Sequence, residues 1–568
     1  MRRALLISTF VLSVALSAAC GGGATTQQTP PTSTPPAPRA TQPGVAPELQ
    51  AQAATAQAQA DSAAPTTGGA LKIVWSDPPT LDPALVTDTT SAGIIVEVFS
   101  GLVSLDTNLQ IVPELAESWT ISGGGTIYEF KLRKDIVFSD GSPITATDFE
   151  YSIERALNPD TQSAVAEIYL GDIVGAKEVI EGRGVVTNVS GVEAIDERTL
   201  RLTVDSPKAY FLAKLTYPTA FIVKRENVES GGESWTDAPV SSGPFTISEY
   251  KIGQRITLSR NDRYWGRKAY LDKVTLNLAG GQGMAMYEND EIDLTGVGLA
   301  DLERVRDPAD PLNKDLITVP PSFSISYIGF NVDDAPFDDI KFRQALNHAI
   351  NKELIAEQVY SNLVIPAYGI LPPGFPGYSE DTTGLKFDAD KAKQLLSESK
   401  FADKATRPRI IVTIPGTGGS PGLDIEVVAD MWKKVLDVDI EIQQVEWATY
   451  LQDLNRKRLQ AWGGLGWEAD YPDPQDFIDI LFNSTSPGNH GNYKNQLVDD
   501  NTLAARTEQD ITRRVQLYAE AEQGVIDDAA WLPMWFDTDS KVLLKPWVRG
   551  LEFNPIIVPR YKNVYIQK

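Results

Sequence analysis

The sequence predicts an α/β protein whose chain folds into more than one lobe. Its 568 residues exceed the size of a single domain, which is typically about 100–200 residues. Hydrophobic residues make up 42% of the chain and charged residues 22%, the balance of a folded chain. Residues 409–414, 423–436 and 438–445 have the patterns of a strand, a helix and a strand. Such a unit predicts two parallel strands in a sheet that is covered by helices.

The net charge and the rare residues exclude several classes of function. A net charge of −25 would repel the phosphate backbone over most of the surface, so we expect no nucleic-acid partner. The single cysteine excludes an internal disulfide. One cysteine and two histidines provide too few ligands for a typical zinc site. We therefore expect no metal and no cofactor.

The first 20 residues have the features of an export signal. Two arginines follow Met1, and residues 4–19 contain only small, apolar or hydroxyl side chains. This run is shorter than the roughly 20 residues of a membrane-spanning helix. The small residues before Cys20 resemble the lipobox of bacterial lipoproteins, although Leu16 lies four positions before the cysteine and Ser17 occupies the usual leucine position. We predict a lipoprotein signal peptide over residues 1–20 with lipidation of Cys20; the alternative is an ordinary secretory signal.

Residues 21–69 predict a disordered tether. They consist mainly of Gly, Ala, Thr, Gln, Pro and Ser, with only Arg39, Glu48 and Asp61 charged. Such a segment cannot bury enough apolar surface to offset its chain entropy. We expect the body from residue 70 onward to lie outside the cytoplasm, in the periplasm or on the outer face of the cytoplasmic membrane, and to be attached to the membrane through the N-terminal lipid.

Apolar periodicity predicts further elements of the body in chain order. Residues 71–75 and Ile127–Leu132 have the composition and alternation of strands. Thr145 is followed three residues later by Asp148, as in a capping box at the start of a helix. Residues 342–360 carry apolar side chains at three-to-five spacing, which predicts one amphipathic helix.

One motif resembles the nucleophile elbow of a serine hydrolase. Residues 418–422 match G-x-S-x-G between a predicted strand and a predicted helix, and Asp470 and His490 follow in the order of a triad. However, the residue after Ser420 is Pro421, which has no N–H to donate to an oxyanion. A secreted serine hydrolase is therefore disfavoured, and we expect no enzymatic activity.

A second segment combines aromatic and acidic side chains. Asp473 followed by Pro474 has the pattern of an N-cap and a first helical residue, so this aspartate has a structural role. Asp470 precedes the cap and lies between Trp467 and Tyr471. A carboxylate flanked by aromatic side chains in a loop can hold a cationic group. The alternative is an ordinary solvated aspartate.

Short motifs through most of the chain after residue 70 resemble a known family. They are LDP at 81–83, PELAESW at 113–119, FKLR at 130–133 with FSDGSP at 138–143, SGPF at 242–245, NDRYW at 261–265, IGFN at 328–331, FRQAL at 342–346 and the acidic segment at 466–477. By these motifs the chain is identified as a member of the bacterial extracellular solute-binding proteins of family 5, the oligopeptide- and dipeptide-binding type.

The resemblance implies a two-lobed α/β fold, the periplasmic-binding-protein-like fold of type II and cluster C, with an extra inserted domain. Closure of the lobes over a ligand would create the shape that a membrane permease recognises. The resemblance further implies a non-catalytic, monomeric receptor that delivers peptides to the permease subunits of an ABC importer. The implied segments are lobe I at 70–99, 219–322 and 532–568, the inserted domain at 100–218, and lobe II at 323–531.

The resemblance also implies the residues that contact the ligand. Asp470 matches the aspartate that pairs with the free α-amino group of a peptide, and Trp467 and Trp447 match pocket walls. The segment after the LDP turn corresponds to backbone that bonds the peptide main chain. The implied ligand-binding residues are Asp470, Trp467, Tyr471, Trp447, Thr87, Asp88 and Thr89.

One departure from the family pattern leaves the ligand open. Gly464 occupies the position at which some oligopeptide binders have an arginine for the ligand C-terminus. Oligosaccharides, or another small solute, are the alternative ligands, since 11 Trp and 19 Tyr could supply stacking faces. Asp470 favours a ligand with an amine.

Overall fold

The computed structural model describes residues 64–182, 184, 187–419 and 421–567, all of which lie within one structural unit. The predicted signal peptide, its Cys20, the tether up to residue 63 and the motif residue Ser420 lie outside the described residues. These expectations therefore stay predictions. Within the described ranges, no helix is long and apolar enough to cross a membrane.

A seven-stranded mixed sheet begins the body. Its central strand Ala70–Val74 confirms the strand expected at 71–75, and it pairs in parallel with Lys273–Asn277. Leu71 and Ile73 alternate with more exposed neighbours and lie in the core. The strands in spatial order are Leu316–Val319, Ser540–Leu544, Leu294–Gly296, Ala70–Val74, Lys273–Asn277, Arg255–Arg260 and Phe245–Lys251.

A six-stranded sheet contains the predicted strand–helix–strand unit. Strand Ile411–Pro415 runs parallel to Glu441–Val445, and helix Leu423–Leu436 connects them, which confirms the prediction. Val428 and Trp432 on this helix are fully buried, so the helix covers a core. The strands in spatial order are Val364–Pro366, Trp531–Asp537, Ser324–Phe330, Ala461–Glu468, Ile411–Pro415 and Glu441–Val445.

Smaller sheets complete the β-structure. The predicted strand Ile127–Leu132 is confirmed and lies inside a four-stranded antiparallel sheet. The spatial order of that sheet is Ala116–Ser122, Ile127–Leu132, Thr199–Thr203 and Val192–Asp196. The two-stranded ladders are Val103–Leu105 with Ile111–Pro113, and Val548–Arg549 with Tyr565–Ile566.

Helices pack around these sheets. The predicted capping box is confirmed, because the Thr145 N–H donates to Asp148 Oδ2 at 2.7 Å where helix Ala146–Leu157 begins. The α-helices of the described residues are Thr89–Val98, Ala146–Leu157, Ala166–Leu170, Ala176–Glu181, Phe211–Lys214, Arg225–Gly231, Gly283–Glu288, Leu299–Arg306, Ile340–His348, Lys352–Gln358, Ala389–Glu398, Leu423–Leu436, Trp447–Asn455, Ile478–Phe482, Gln496–Thr507 and Ile511–Asp527. The 3-10 turns are Pro83–Leu85, Pro159–Thr161, Pro218–Ala220, Gly232–Asp237, Asn313–Asp315, Pro474–Asp476 and Tyr561–Asn563.

The single helix predicted over residues 342–360 is wrong. The structure has two helices there, Ile340–His348 and Lys352–Gln358. Asn351 is the N-cap of the second helix, and its side chain accepts from the N–H of Leu354 at 2.9 Å. The Asn351 side chain bonds to a backbone N–H and so favours the start of a new helix at this point. The apolar spacing continues through both helices, which is why it predicted a single one.

The division into lobes stays a prediction, with one boundary that we propose to move. The four-stranded sheet lies within 100–218, the segment predicted as the inserted domain. Strand Trp531–Asp537 crosses the boundary predicted at 532 and pairs with Ser324–Phe330 in the six-stranded sheet. We therefore place the last segment of lobe I after residue 537.

The two ends of the described body lie side by side. Thr66 Oγ1 donates a hydrogen bond to the carbonyl of Ile566 at 2.6 Å. Ile566 belongs to the last strand of the chain, which pairs with Val548–Arg549. The segment that leads into the first strand is thus attached to the C-terminal strand.

Candidate ligand-binding site

A cavity of about 650 Å³ is the candidate site. Its walls come from distant parts of the chain, including Thr87, Tyr169, Trp447, Asp470 and Ile557. A volume of this size is in the range of small-molecule and short-peptide pockets. Six of the seven predicted ligand residues line it, namely Thr87, Asp88, Thr89, Trp447, Trp467 and Asp470.

Residues 87–89 lead into a helix at the cavity wall. The backbone of Asp88 is extended, with φ −147° and ψ 154°, and Thr89 is the first residue of helix Thr89–Val98. Asp88 caps that helix, because its Oδ1 accepts from the N–H of Ser91 at 2.9 Å. Burial raises the pKa of Asp88. Asp88 therefore has two features: its side chain caps the helix, and its extended backbone lies at the cavity wall.

Asp470 is placed at the end of strand Ala461–Glu468, at the cavity wall. Its backbone N–H donates to Asp476 Oδ2 at 2.9 Å, which fixes the position of the loop. Its side-chain Oδ2 accepts a hydrogen bond from the hydroxyl of Tyr169. Loss of hydration raises the pKa of Asp470 to about 7, although the bonds from Tyr169 and Asp476 oppose the rise. A cationic partner would therefore stabilise the ionised form of this carboxylate.

A buried ion pair supports the loop that carries Asp470. Asp473 is the N-cap of the turn Pro474–Asp476, which confirms the predicted cap. Arg514 holds both of its oxygens, with Nη1 to Oδ2 at 2.8 Å and Nη2 to Oδ1 at 2.6 Å. Arg514 is 6% exposed and Asp473 8%. Asp476 is fully buried, and its pKa lies well above the ordinary value because of burial and the nearby Asp470.

Aromatic side chains form much of the remaining wall. Trp447 stacks on Tyr450 with ring centroids 5.7 Å apart, and Trp467 lines the same cavity. Tyr169 and Tyr217 also line the cavity and stack on each other at 3.7 Å. Sequence reasoning missed this tyrosine pair, because no motif marked either residue.

Tyr471 does not line the cavity, contrary to the prediction of a direct contact. Its side chain is fully buried, and its hydroxyl donates to Gln475 Oε1. Its ring packs edge-on against Tyr169 with centroids 6.5 Å apart. The alternating direction of side chains in an extended segment explains the difference, since the residue next to Asp470 points to the opposite side. Tyr471 supports the wall from behind.

The last four residues of strand Ala461–Glu468 line the cavity, and this part of the strand has an open edge. It pairs with Ser324–Phe330 nearly throughout its length, but with Ile411–Pro415 only at residues 461 and 462. Gly464 has φ +70°, a conformation that favours glycine, and a Cβ there would lie 3.1 Å from Pro415 Cδ. From residue 463 to 468 this edge has no strand partner among the described residues.

The cavity wall is acidic. In the described part of the chain, five carboxylates and no lysine or arginine line it. The carboxylates belong to Asp88, Glu167, Glu468, Asp470 and Asp537. Burial lowers the pKa of His490, which also lines the wall, to about 4, so this side chain is neutral at pH 7. No group of three potential ligands within the described ranges could hold a metal ion.

Comparison with known proteins connects this geometry to a family. The profile of "Bacterial extracellular solute-binding proteins, family 5 Middle" matches residues 110–489. The periplasmic oligopeptide-binding protein OppA of Escherichia coli is 29% identical over 516 residues, which cover 87% of this chain and 91% of OppA. The probable deoxycholate-binding periplasmic protein YgiS of Escherichia coli is 32% identical over 517 residues, which cover 87% of this chain and 92% of YgiS.

Solved structures confirm the predicted α/β fold of the periplasmic-binding-protein type. The murein tripeptide binding protein MppA of Escherichia coli has a TM-score of 0.78 and 28% identity, covering 89% of this chain and 99% of MppA. The unliganded open form of MppA gives a lower TM-score of 0.63, covering 89% of this chain and 98% of that structure. The arrangement of this chain is thus less similar to the open form. With the profile match over most of its body, this chain belongs to the bacterial extracellular solute-binding proteins of family 5.

Proposed function

We propose that this protein captures peptides by their free α-ammonium group and delivers them to the permease of an ABC importer. The observation that carries the proposal is the position of Asp470, a carboxylate in the wall of a cavity whose described lining has no lysine or arginine; burial raises the pKa of this carboxylate. An α-ammonium group would supply the missing positive charge and donate hydrogen bonds. We further propose that Cys20 carries the lipid anchor and that the protein acts as an extracytoplasmic monomer.

The open strand edge supports a peptide rather than an isolated amine. An extended peptide can add to a sheet edge through main-chain hydrogen bonds, which are indifferent to side chains. The edge from residue 463 to 468 leads directly to Asp470. A peptide that runs along this edge with its amino terminus toward residue 468 would bring its α-ammonium group to the carboxylate.

Closure of the cavity involves Tyr169. This tyrosine belongs to the predicted inserted domain and bonds to Asp470 in the predicted lobe II. We propose that ligand binding favours this closed arrangement, because the contact brings both sides of the cavity together. The lower TM-score to the open form of MppA supports a closed arrangement.

Oligosaccharides and other solutes remain the second candidate class. Trp447, Trp467 and the stacked tyrosine pair offer faces on which sugar rings could stack. YgiS is named for deoxycholate, so similarity alone does not fix the ligand. An anionic solute would have to enter against five carboxylates, which favours the peptide amine.

A thermal-shift series tests the proposed ligand class. A ligand that binds only the folded protein stabilises it by about 2.7 kcal/mol at a concentration of 100 times Kd. We expect peptides with free amino termini to raise the Tm, and the same peptides with acetylated amino termini to leave it unchanged. Oligosaccharides serve as the comparison set. The peptide proposal is wrong if oligosaccharides raise the Tm while no peptide does.

Peptide affinity should have a bell-shaped dependence on pH. Asp470 must be ionised to pair with an ammonium group, so affinity should fall about tenfold per unit well below its pKa of about 7. Above about pH 8 the peptide α-amino group itself loses its proton. Calorimetric titration between pH 5 and pH 9 should therefore show an optimum between the two values, and Asp470→Asn should remove the acidic limb. An acidic limb that persists in this variant would assign it to another group.

A further inference from the structure

Glu468 is an acidic side chain of the cavity wall that the proposed amine contact does not use. It is the last residue of strand Ala461–Glu468 and lies two positions before Asp470. Side chains two positions apart in an extended segment point to the same side, roughly 7 Å apart along the chain. In agreement, Glu468 and Asp470 both line the cavity, whereas Ala469 between them is buried.

The Glu468 carboxylate has no cationic partner within the described part of the protein. Its side-chain oxygens have no hydrogen-bond or ion-pair partner among the described residues, and only longer-range electrostatic interactions reach them. Burial, Asp470 and Asp537 raise its pKa to about 7, and Arg560 opposes the rise. Arg560 does not line the cavity, and its guanidinium group packs over Trp75 and Tyr561. The electrostatic environment of Glu468 is therefore predominantly negative.

Asp537, the other acidic residue near Glu468, cannot neutralise the Glu468 carboxylate because it is itself an acid. It also has a hydrogen-bond partner of its own. Its Oδ2 accepts from Ser324 Oγ at 2.8 Å, and Ser324 also lines the cavity. A single ligand ammonium at Asp470 would leave Glu468 without a counter-charge in a poorly hydrated site, which is costly. A second positive group on the ligand would remove that cost.

We propose that Glu468 forms a second cation subsite, so that this protein prefers peptides with lysine or arginine as the first or second residue. The inference rests on the proposed peptide function and specifies its substrate class. The two ammonium groups of an amino-terminal lysine can lie several ångströms apart, as can two carboxylates that are two positions apart in an extended segment. A basic second residue would reach Glu468 from the adjacent backbone position on the strand edge.

A comparison of lysine with norleucine isolates the charge. Norleucine keeps the hydrocarbon part of the lysine side chain and lacks the ammonium group. Calorimetry would compare Lys-Ala-Ala and Ala-Lys-Ala with the two norleucine counterparts on the wild-type protein. The same titrations on Glu468→Gln would test the subsite, and Glu357→Gln, an exposed glutamate outside the cavity, is the matched control.

We expect at least one lysine peptide to bind about tenfold or more tightly than its norleucine counterpart to the wild-type protein and to Glu357→Gln. In Glu468→Gln this ratio should fall to about two, while the norleucine peptides keep their wild-type affinity. Equal binding of both peptide types by the wild-type protein, or a preference that survives in Glu468→Gln, overturns the subsite and leaves the proposed function standing. If neither peptide type binds, the proposed function is wrong and the subsite with it.

Discussion

Asp470→Asn is expected to weaken the binding of peptides with free amino termini by about 30-fold or more. Truncating one partner of a poorly hydrated charge pair typically costs about 2–5 kcal/mol, and 1.4 kcal/mol corresponds to a factor of ten. The substitution keeps the shape of the side chain and its ability to accept from Tyr169. Because the backbone N–H of residue 470 still reaches Asp476, the loop should keep its position.

A double-mutant cycle separates loss of the amine contact from a general loss of binding. Calorimetry would measure one peptide, with a free or an acetylated amino terminus, against the wild-type protein and Asp470→Asn. Acetylation should weaken binding to the wild-type protein strongly and binding to the variant hardly at all. If acetylation and the substitution have additive effects, the α-ammonium group does not pair with Asp470.

The largest effect on folding is expected for Arg514→Met. Removing one partner of a buried ion pair typically costs about 3–5 kcal/mol, because the other charge stays buried without compensation. Arg514 binds both oxygens of Asp473, and both residues are less than one-tenth exposed. Urea denaturation at pH 7 should show a lower midpoint with an unchanged slope.

Two comparisons test the origin of that effect. Arg304→Met removes the ion pairs of an arginine that is 43% exposed, with Glu288, Asp301 and Asp310, and it should cost less than about 1 kcal/mol. The double variant Arg514→Met with Asp473→Asn no longer contains the uncompensated charge, so it should be more stable than Arg514→Met alone. An equally unstable double variant would assign the loss to packing around the arginine.

Sequence reasoning located the parts of the site that are encoded locally. The cap at Asp473 and Pro474 could be read from two adjacent residues, and the role of Asp470 was then suggested by its position before the cap. The parallel strands around helix Leu423–Leu436 were likewise encoded within one continuous segment. In each case the residues that predict the structure are neighbours in the chain.

Features that depend on tertiary contacts could not be predicted in this way. Tyr169 is 301 positions away from Asp470 in the chain, so no spacing indicates that their side chains meet. The motif predicts that Tyr471 lies close to Asp470 in the chain, but it does not predict the direction of the Tyr471 side chain, which depends on the local backbone. This side chain is buried and does not line the cavity. The open strand edge is likewise visible only once the partners of Ala461–Glu468 are known.

The hydrogen bond between Thr66 and Ile566 has a practical consequence for attaching the protein to a surface. Because the two ends of the described body are neighbours, a linker fused near either end would hold the molecule at the same place on its surface. Sensors immobilised through an N-terminal or a C-terminal linker should then have the same orientation and give matching ligand responses. The choice of end can therefore be made for ease of expression.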